Sequence, residues 1–181
     1  MDIIQQLDGN ILLWIQNYIR KEFLNPMILF ITSLGDAGWF WILLLIGMLL
    51  SVKYRKIGMT GLVALLIGFL ITNLCLKNMV ARIRPYEVIE GLELIGKRAH
   101  DFSFPSGHST CSMAASVVLF AKLPKKFGIP ALTLGVFICF TRLYIGIHYP
   151  TDVLIGMLIG IIAALAAMYI IKQEKTDILS S

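Results

Sequence analysis

Charge is what this sequence has least of. Only 15% of its 181 residues are Asp, Glu, Lys or Arg, against about 25% in a typical soluble domain. Hydrophobic residues fill 57% of the chain, and mean hydropathy is +0.80. A chain of this length makes one domain, and one domain cannot hide so large an apolar surplus in its own core. The surplus must face something other than water, which excludes a soluble enzyme and a disordered segment alike. Cysteine is scarce too. Cys75, Cys111 and Cys139 all lie in apolar stretches, odd in number and without C-x-x-C spacing, so neither a disulfide framework nor a zinc site is supported. They read as small buried hydrophobes. Internal repeats and low-complexity tracts are missing. The opening Met-Asp-Ile-Ile-Gln-Gln lacks the basic segment of a secretory signal and a small-residue cleavage site, so it is expected to stay on the protein.

The net charge of +5 does not imply a nucleic-acid partner, because Lys and Arg are scattered between apolar runs rather than gathered on one face. What is present is a series of runs long enough for a bilayer, whose hydrocarbon core takes roughly 20 apolar residues to span. They cover 37–52, 57–76, 107–123, 127–147 and 151–171. Ahead of them, Ile11, Leu12, Ile15, Tyr18 and Ile19 recur at helical spacing between Gln16, Asn17 and Arg20, the pattern of an amphipathic interfacial helix. The short apolar stretch 26–34 would join that helix in a broken span. The expectation is an all-α, polytopic membrane helix bundle of about six spans, the first short or broken, preceded by an N-terminal interfacial helix. It forms a single integral-membrane domain over 1–181, with 1–36 holding the interfacial helix and short first span.

Orientation follows the basic residues of the short connections. Lys53, Arg55 and Lys56, then Lys122, Lys125 and Lys126, then Lys172 and Lys175 fall on one side, expected to be cytoplasmic. The polar loop 77–106 and the turn around His148 then share the extracytoplasmic side of the inner (plasma) membrane. Glu87, Glu90 and Glu93 in that loop read as a solvated face, and His100 as an exposed residue. Gly156-x3-Gly160, followed by Ala163, Ala164, Ala166 and Ala167, allows close helix approach, chiefly within the monomer. The oligomeric state stays open.

Three clusters meet on that outer side. Lys77, Arg82 and Arg84-Pro85 close the second run. Alone they would be cations reaching for lipid headgroups. Pro105-Ser106-Gly107-His108 opens the third, where a helix start offers unpaired N–H groups and a positive dipole end to an oxyanion. Ser106 is equally an N-cap and Pro105 helix punctuation. His108 stands where it can donate a proton to a departing oxygen. Arg142, His148 and Asp152 form the third cluster. Asp152 lies one helical turn from His148, so its carboxylate can fix the imidazole tautomer and leave the other nitrogen nucleophilic, or the two can form a structural capping pair. Taken together, two guanidiniums and an ammonium suit phosphoryl oxygens, and two histidines can divide attack from protonation. No carboxylate-rich cage for a metal is evident, so phosphoryl transfer without metal or other cofactor is the inference.

Lys77-x6-Arg84-Pro85, Pro105-Ser106-Gly107-His108 and Arg142-x5-His148-x3-Asp152 resemble the three-part signature of the type 2 phosphatidic acid phosphatase superfamily, across residues 77–152. That superfamily includes membrane lipid phosphatases, bacterial undecaprenyl diphosphate phosphatases and soluble vanadium haloperoxidases. The resemblance implies a phosphohistidine mechanism in which His148 attacks, Asp152 orients it and His108 is the general acid. Lys77, Arg84, Ser106, Gly107 and Arg142 would hold the phosphate, and no metal is called for. Thr141 departs from the serine usual before the arginine but keeps a hydroxyl. Sites at span ends leave a lipid tail in the bilayer, so the expected partner is a membrane lipid phosphate or diphosphate. The short chain resembles bacterial members acting on undecaprenyl diphosphate. Phosphatidic acid and phosphatidylglycerol phosphate are the alternatives, and a non-catalytic lipid carrier or transporter is the rival from another class.

Overall fold

The computed structural model describes residues 3–180, with side chains for residues 3–172. Met1, Asp2 and the Lys175 side chain, used in the signal-peptide and orientation readings, fall outside that range. Among the described residues there is no strand, and the helices are α1 (Ile3–Trp14), α2 (Asn25–Ser33), α3 (Trp39–Leu49), α4 (Arg55–Phe69), α5 (Lys77–Val80), α6 (Pro85–Val88), α7 (Gly107–Lys122), α8 (Lys125–Tyr144) and α9 (Pro150–Ser180).

Among the described residues, three runs are long and apolar enough to cross a bilayer: Arg55–Val88, Lys125–Tyr144 and Pro150–Lys172. The pair Glu22–Ser33 and Asp36–Leu49, bent by 44°, makes a fourth if counted as one span. By length and composition this gives three or four where the hydropathy pattern suggests about six. Two differences account for the gap. The break lies between α2 and α3, where Ala37 (φ 48°) and Gly38 (φ 68°) turn left-handed, so stretch 26–34 continues into α3 rather than back into α1. And α7, with 16 residues, is only about 24 Å long at 1.5 Å per residue.

That short helix is the centre of the bundle, packed against α4, α8 and α9. Its buried residues are mostly small, including Ser109, Thr110, Ser112, Ala114, Ala115 and Ser116, which lets neighbouring backbones come close. Gly156 and Gly160 of α9 complete the fit: a Cβ there would stand 2.6 Å from the Ser106 carbonyl oxygen and 2.5 Å from that of Thr110. The stripe therefore packs inside the chain. Ala64, Ala114, Val118, Ala163, Ala164 and Ala167 form the adjoining core, while Leu66, Phe69, Leu154, Leu158, Ile162 and Leu165 face outward. An apolar exterior over a small-residue core is the arrangement expected of helices whose solvent is lipid.

α1 shows the same inversion. Ile3, Ile4 and Leu7 are exposed while Asp8 is 2% accessible, so its polar side faces the protein. Beyond it Arg20 donates from Nε to the Tyr144 carbonyl at 2.5 Å and from Nη1 to the Glu93 carbonyl at 2.6 Å, tying this segment to the end of α8 and to the polar loop.

Candidate active site

The N-termini of α7 and α9, the C-terminus of α8 and the end of the α4–α5 run converge at one end of the bundle. Prolines mark several of these ends: Pro85 and Pro150 open α6 and α9, where a missing N–H costs nothing. Between α4 and α5 the helix passes through a π-helical segment, Leu70–Leu76. The wider π turn rotates the residues beyond it around the helix axis. It delivers Lys77, 7% accessible, to the inside of the bundle, and Ala81 (φ 47°) then ends the helix.

A cavity of about 690 Å³ opens there, lined at its polar end by Lys77, Arg84, Gly107, His108, Arg142 and His148. These residues come from all three sequence clusters. The other two predicted residues stand behind this wall. Ser106 is buried as the N-cap of α7, its Oγ accepting from the Ser109 N–H at 3.4 Å and the Ser109 hydroxyl at 3.0 Å. Asp152, fully buried, sits in the first turn of α9 and its carbonyl accepts from Ser106 N–H at 3.1 Å.

His148 occupies the turn between α8 and α9, 2% accessible. Its Nε2 is 3.2 Å from Arg84 Nη1. Arginine only donates, so Nε2 is the acceptor and the single proton of the neutral ring belongs on Nδ1. Nδ1 lies 3.5 Å from Asp152 Oδ2, ion-pair range but without a formed hydrogen bond. Burial, reinforced by the positive charges of Arg84 and Arg142, pushes the His148 pKa down to about 3 against the pull of Asp152. The ring is held neutral, with a lone pair on the nitrogen that looks toward the guanidinium.

Every donor of Arg84 is in use. Nε donates to the Asp101 carbonyl at 3.0 Å, Nη1 to the Ile147 carbonyl at 3.0 Å and to His148 Nε2, and Nη2 to Asp101 Oδ1 at 2.6 Å and the Phe102 carbonyl at 3.2 Å. That accounts for five N–H groups, the full complement of an arginine. The other Asp101 oxygen pairs with Lys77 Nζ. Burial would raise the Asp101 pKa, but the hydrogen bond and charge of Lys77 and the charge of Arg84 overcome it and hold the group at about 2. A carboxylate thus lies on the two cations expected to bind phosphate. Arg142 differs: Nη1 donates to Thr32 Oγ1 at 2.6 Å, and its buried Nε has no partner among the described residues. His108 Nε2 is 2.8 Å from Asp36 Oδ1 in the α2–α3 connection. Thr141, beside Arg142, spends its hydroxyl on the Ile138 carbonyl at 2.6 Å.

Asp36 and Asp101 are not among the site residues that the sequence predicts. Each is a lone carboxylate in a connection, with no spacing to a motif. Arg82 stands in the sequence only as a third cation, yet its Nη1 donates to Asp152 Oδ1 at 2.7 Å. His100 is exposed, as expected.

At its other end the cavity is lined by Ile42 of α3 and by Leu62, Leu65, Leu66 and Phe69 of α4. One space therefore joins a cationic, imidazole-bearing end to an apolar trough.

Comparison with known proteins finds a family and relatives that this chain resembles over most of its length. The PAP2 superfamily model matches residues 58–176. An undecaprenyl-diphosphatase of Sulfolobus acidocaldarius is 29% identical over 144 residues, covering 80% of this chain and 69% of its own. The undecaprenyl-diphosphatase BcrC of Bacillus subtilis is 32% identical over 147 residues, covering 79% and 72%. A crystal structure of a PAP2 type phosphatidylglycerolphosphate phosphatase from Bacillus subtilis superposes with a TM-score of 0.78 at 26% identity, covering 96% of this chain and 88% of that one.

Proposed function

Because the chain belongs to the PAP2 superfamily and is a membrane phosphatase acting on lipid phosphates, we propose that it hydrolyses undecaprenyl diphosphate to undecaprenyl phosphate through a phosphohistidine. The observation that carries this reading is the single cavity whose cationic end holds two histidines and whose other end is an apolar trough between α3 and α4. A phosphate bound among Lys77, Arg84 and Arg142 leaves its prenyl chain room in that trough. The undecaprenyl-diphosphatases of similar sequence favour this substrate. Likeness to a phosphatidylglycerolphosphate phosphatase makes that lipid the second reading.

In the proposed reaction the lone pair of His148 Nε2 attacks phosphorus, and the bridging oxygen leaves with a proton from His108. An in-line displacement requires His108 to act from across the bound phosphate, opposite His148. Arg142, with an unused N–H, and Lys77 neutralise the equatorial oxygens, and Arg84 joins them by exchanging Asp101 for phosphate. The Nδ1 proton faces Asp152, which balances the positive charge the ring acquires. Water then attacks the phosphohistidine, with His108 as base, and releases phosphate. No step calls on a metal. We place the site on the extracytoplasmic face of the inner (plasma) membrane, since the basic connections at 53–56 and 122–126 lie at the other end of the bundle.

A carrier would need the cations alone, so the histidines provide the test. With purified protein in detergent, His148→Ala is expected to abolish phosphate release from undecaprenyl diphosphate and His108→Ala to slow it on the order of 10²–10⁴-fold. Chelation with EDTA is expected to leave the wild type active. Wild-type turnover in His148→Ala would defeat the mechanism, and a panel of lipid phosphates compared by kcat/KM decides between the two substrates.

A further inference from the structure

Behind Asp152, on the side away from the cavity, lies a second carboxylate that the proposed reaction does not use. Asp8 projects from α1 into the protein and is 2% accessible. Its Oδ1 accepts from the Thr151 N–H at 3.1 Å, and its Oδ2 accepts from the Thr151 hydroxyl at 2.5 Å and from Arg82 Nη2 at 2.8 Å. Arg82 sits between two carboxylates, since its Nη1 donates to Asp152 Oδ1 at 2.7 Å and to Thr151 Oγ1 at 2.7 Å. The guanidinium lies 3.7 Å over the Tyr149 ring, which fixes its plane. Asp152 Oδ2, the oxygen nearer His148, accepts from Ser103 Oγ at 2.5 Å and Tyr149 N–H at 3.0 Å.

From this arrangement we infer that Asp8 is a positioning residue for the reaction, holding Asp152 behind His148 through Arg82 and the first turn of α9. The inference rests on the phosphatase reading. Two arguments support it. The first is geometric. The Thr151 N–H is one of the donors a helix start leaves unpaired, and Asp8 satisfies it from another helix, which sets where α9 begins and so where Asp152 stands. The second is electrostatic. Were Arg82 alone with Asp152, it would cancel the charge that must balance the positive ring formed when His148 takes up phosphate. With Asp8 sharing the guanidinium, the Asp8–Arg82–Asp152 group keeps one net negative charge at a buried point where it acts strongly. Gln16 offers a control, since it fastens the segment after α1 elsewhere: Nε2 donates to the Gly91 carbonyl at 2.8 Å and Oε1 accepts from Glu93 N–H at 2.8 Å, away from Arg82.

The test measures kcat and KM on a lipid diphosphate in detergent for Asp8→Asn, Arg82→Gln, the double variant and Gln16→Ala, with His148→Ala alongside. Asp8→Asn is expected to lower kcat about tenfold, the scale at which groups supporting a reactive side chain act, with KM within about twofold. The double variant is expected to fall no further than the worse single one, because both act through Asp152. Gln16→Ala should keep wild-type kcat. Multiplying losses in the double variant, an equal kcat loss in Gln16→Ala, or wild-type kcat in Asp8→Asn would each overturn the inference. If Asp8→Asn does not accumulate folded, Arg82→Gln decides alone: a kcat loss at constant KM supports the inference and a KM loss at constant kcat overturns it. Activity in His148→Ala would instead strike at the phosphatase mechanism itself.

Discussion

Asp101 presents the sharpest choice at the level of single side chains. It spans Lys77 and Arg84, the same two cations assigned to phosphate, and with its carboxylate in place Arg84 has no donor to spare. Phosphate and Asp101 are then competitors for one site. Asp101→Asn is expected to tighten inhibition by orthovanadate about tenfold, the equivalent of about 1.4 kcal/mol, as read from the inhibition constant. Weaker inhibition would mean that Asp101 holds the two cations in place instead. Acid sensitivity has its origin in the same neighbourhood. His148 is held neutral down to about pH 3 when folded, whereas the unfolded ring binds a proton near 6.5. The unfolded state therefore carries more protons between those values, and stability falls as pH drops from about 6.5. Asp101, held at about 2, adds a further loss once pH falls below about 4. Melting temperatures between pH 8 and 4 should decline in the wild type and decline less in His148→Gln. Of these residues the motif histidines and arginines were readable because their spacing repeats a helical turn or brackets a helix start. Asp8, Asp36 and Asp101 were not, because their partners lie far along the chain, 74 residues away in the case of Asp8 and Arg82.

Helices show a similar division between what periodicity reveals and what packing decides. The apolar runs located α4, α8 and α9 well, since length and hydropathy are local properties. Period counting could not show the π segment Leu70–Leu76, after which Lys77 lies buried inside the bundle. Nor could it show that 26–34 joins α3, because the left-handed turn at Ala37 and Gly38 looks in sequence like the beginning of a new span. The Gly156 and Gly160 stripe was legible as a close-packing face, and the structure supplies its partner, α7. Since a Cβ at position 160 would meet the Thr110 carbonyl oxygen at 2.5 Å, Gly160→Val is expected to push α9 away from α7. Overpacking of this kind costs about 1–3 kcal/mol, and a lower melting temperature in detergent would register it. Because α7 and α9 carry His108 and Asp152, activity should fall along with stability.

Taken whole, the molecule is a bundle that brings polar chemistry to one end and leaves its flank open to hydrocarbon. Composition alone announced the bilayer, and the motifs announced the phosphate, but neither indicated how a substrate rooted in lipid reaches the buried His148. The cavity answers this through its side toward α3 and α4, where Leu62 and Leu66 line the same space as His148 and Leu66 also faces outward. A lipid can therefore place its headgroup among the cations while its chain stays between two helices in contact with the membrane. Under the proposed function this geometry separates two contributions to turnover: the cationic end would act on any phosphate, and the trough only on substrates with a tail. Leu62→Trp puts an indole where a shorter aliphatic side chain stood, which narrows the trough and leaves the polar end untouched. The expected result is that kcat/KM for a long-chain lipid phosphate drops about tenfold more than for a short-chain, water-soluble phosphate ester, a difference of about 1.4 kcal/mol that resides in KM. Equal losses on both substrates would show that tails enter by another route, and the gap between α3 and α4 would then be a packing feature of the bundle rather than the way in.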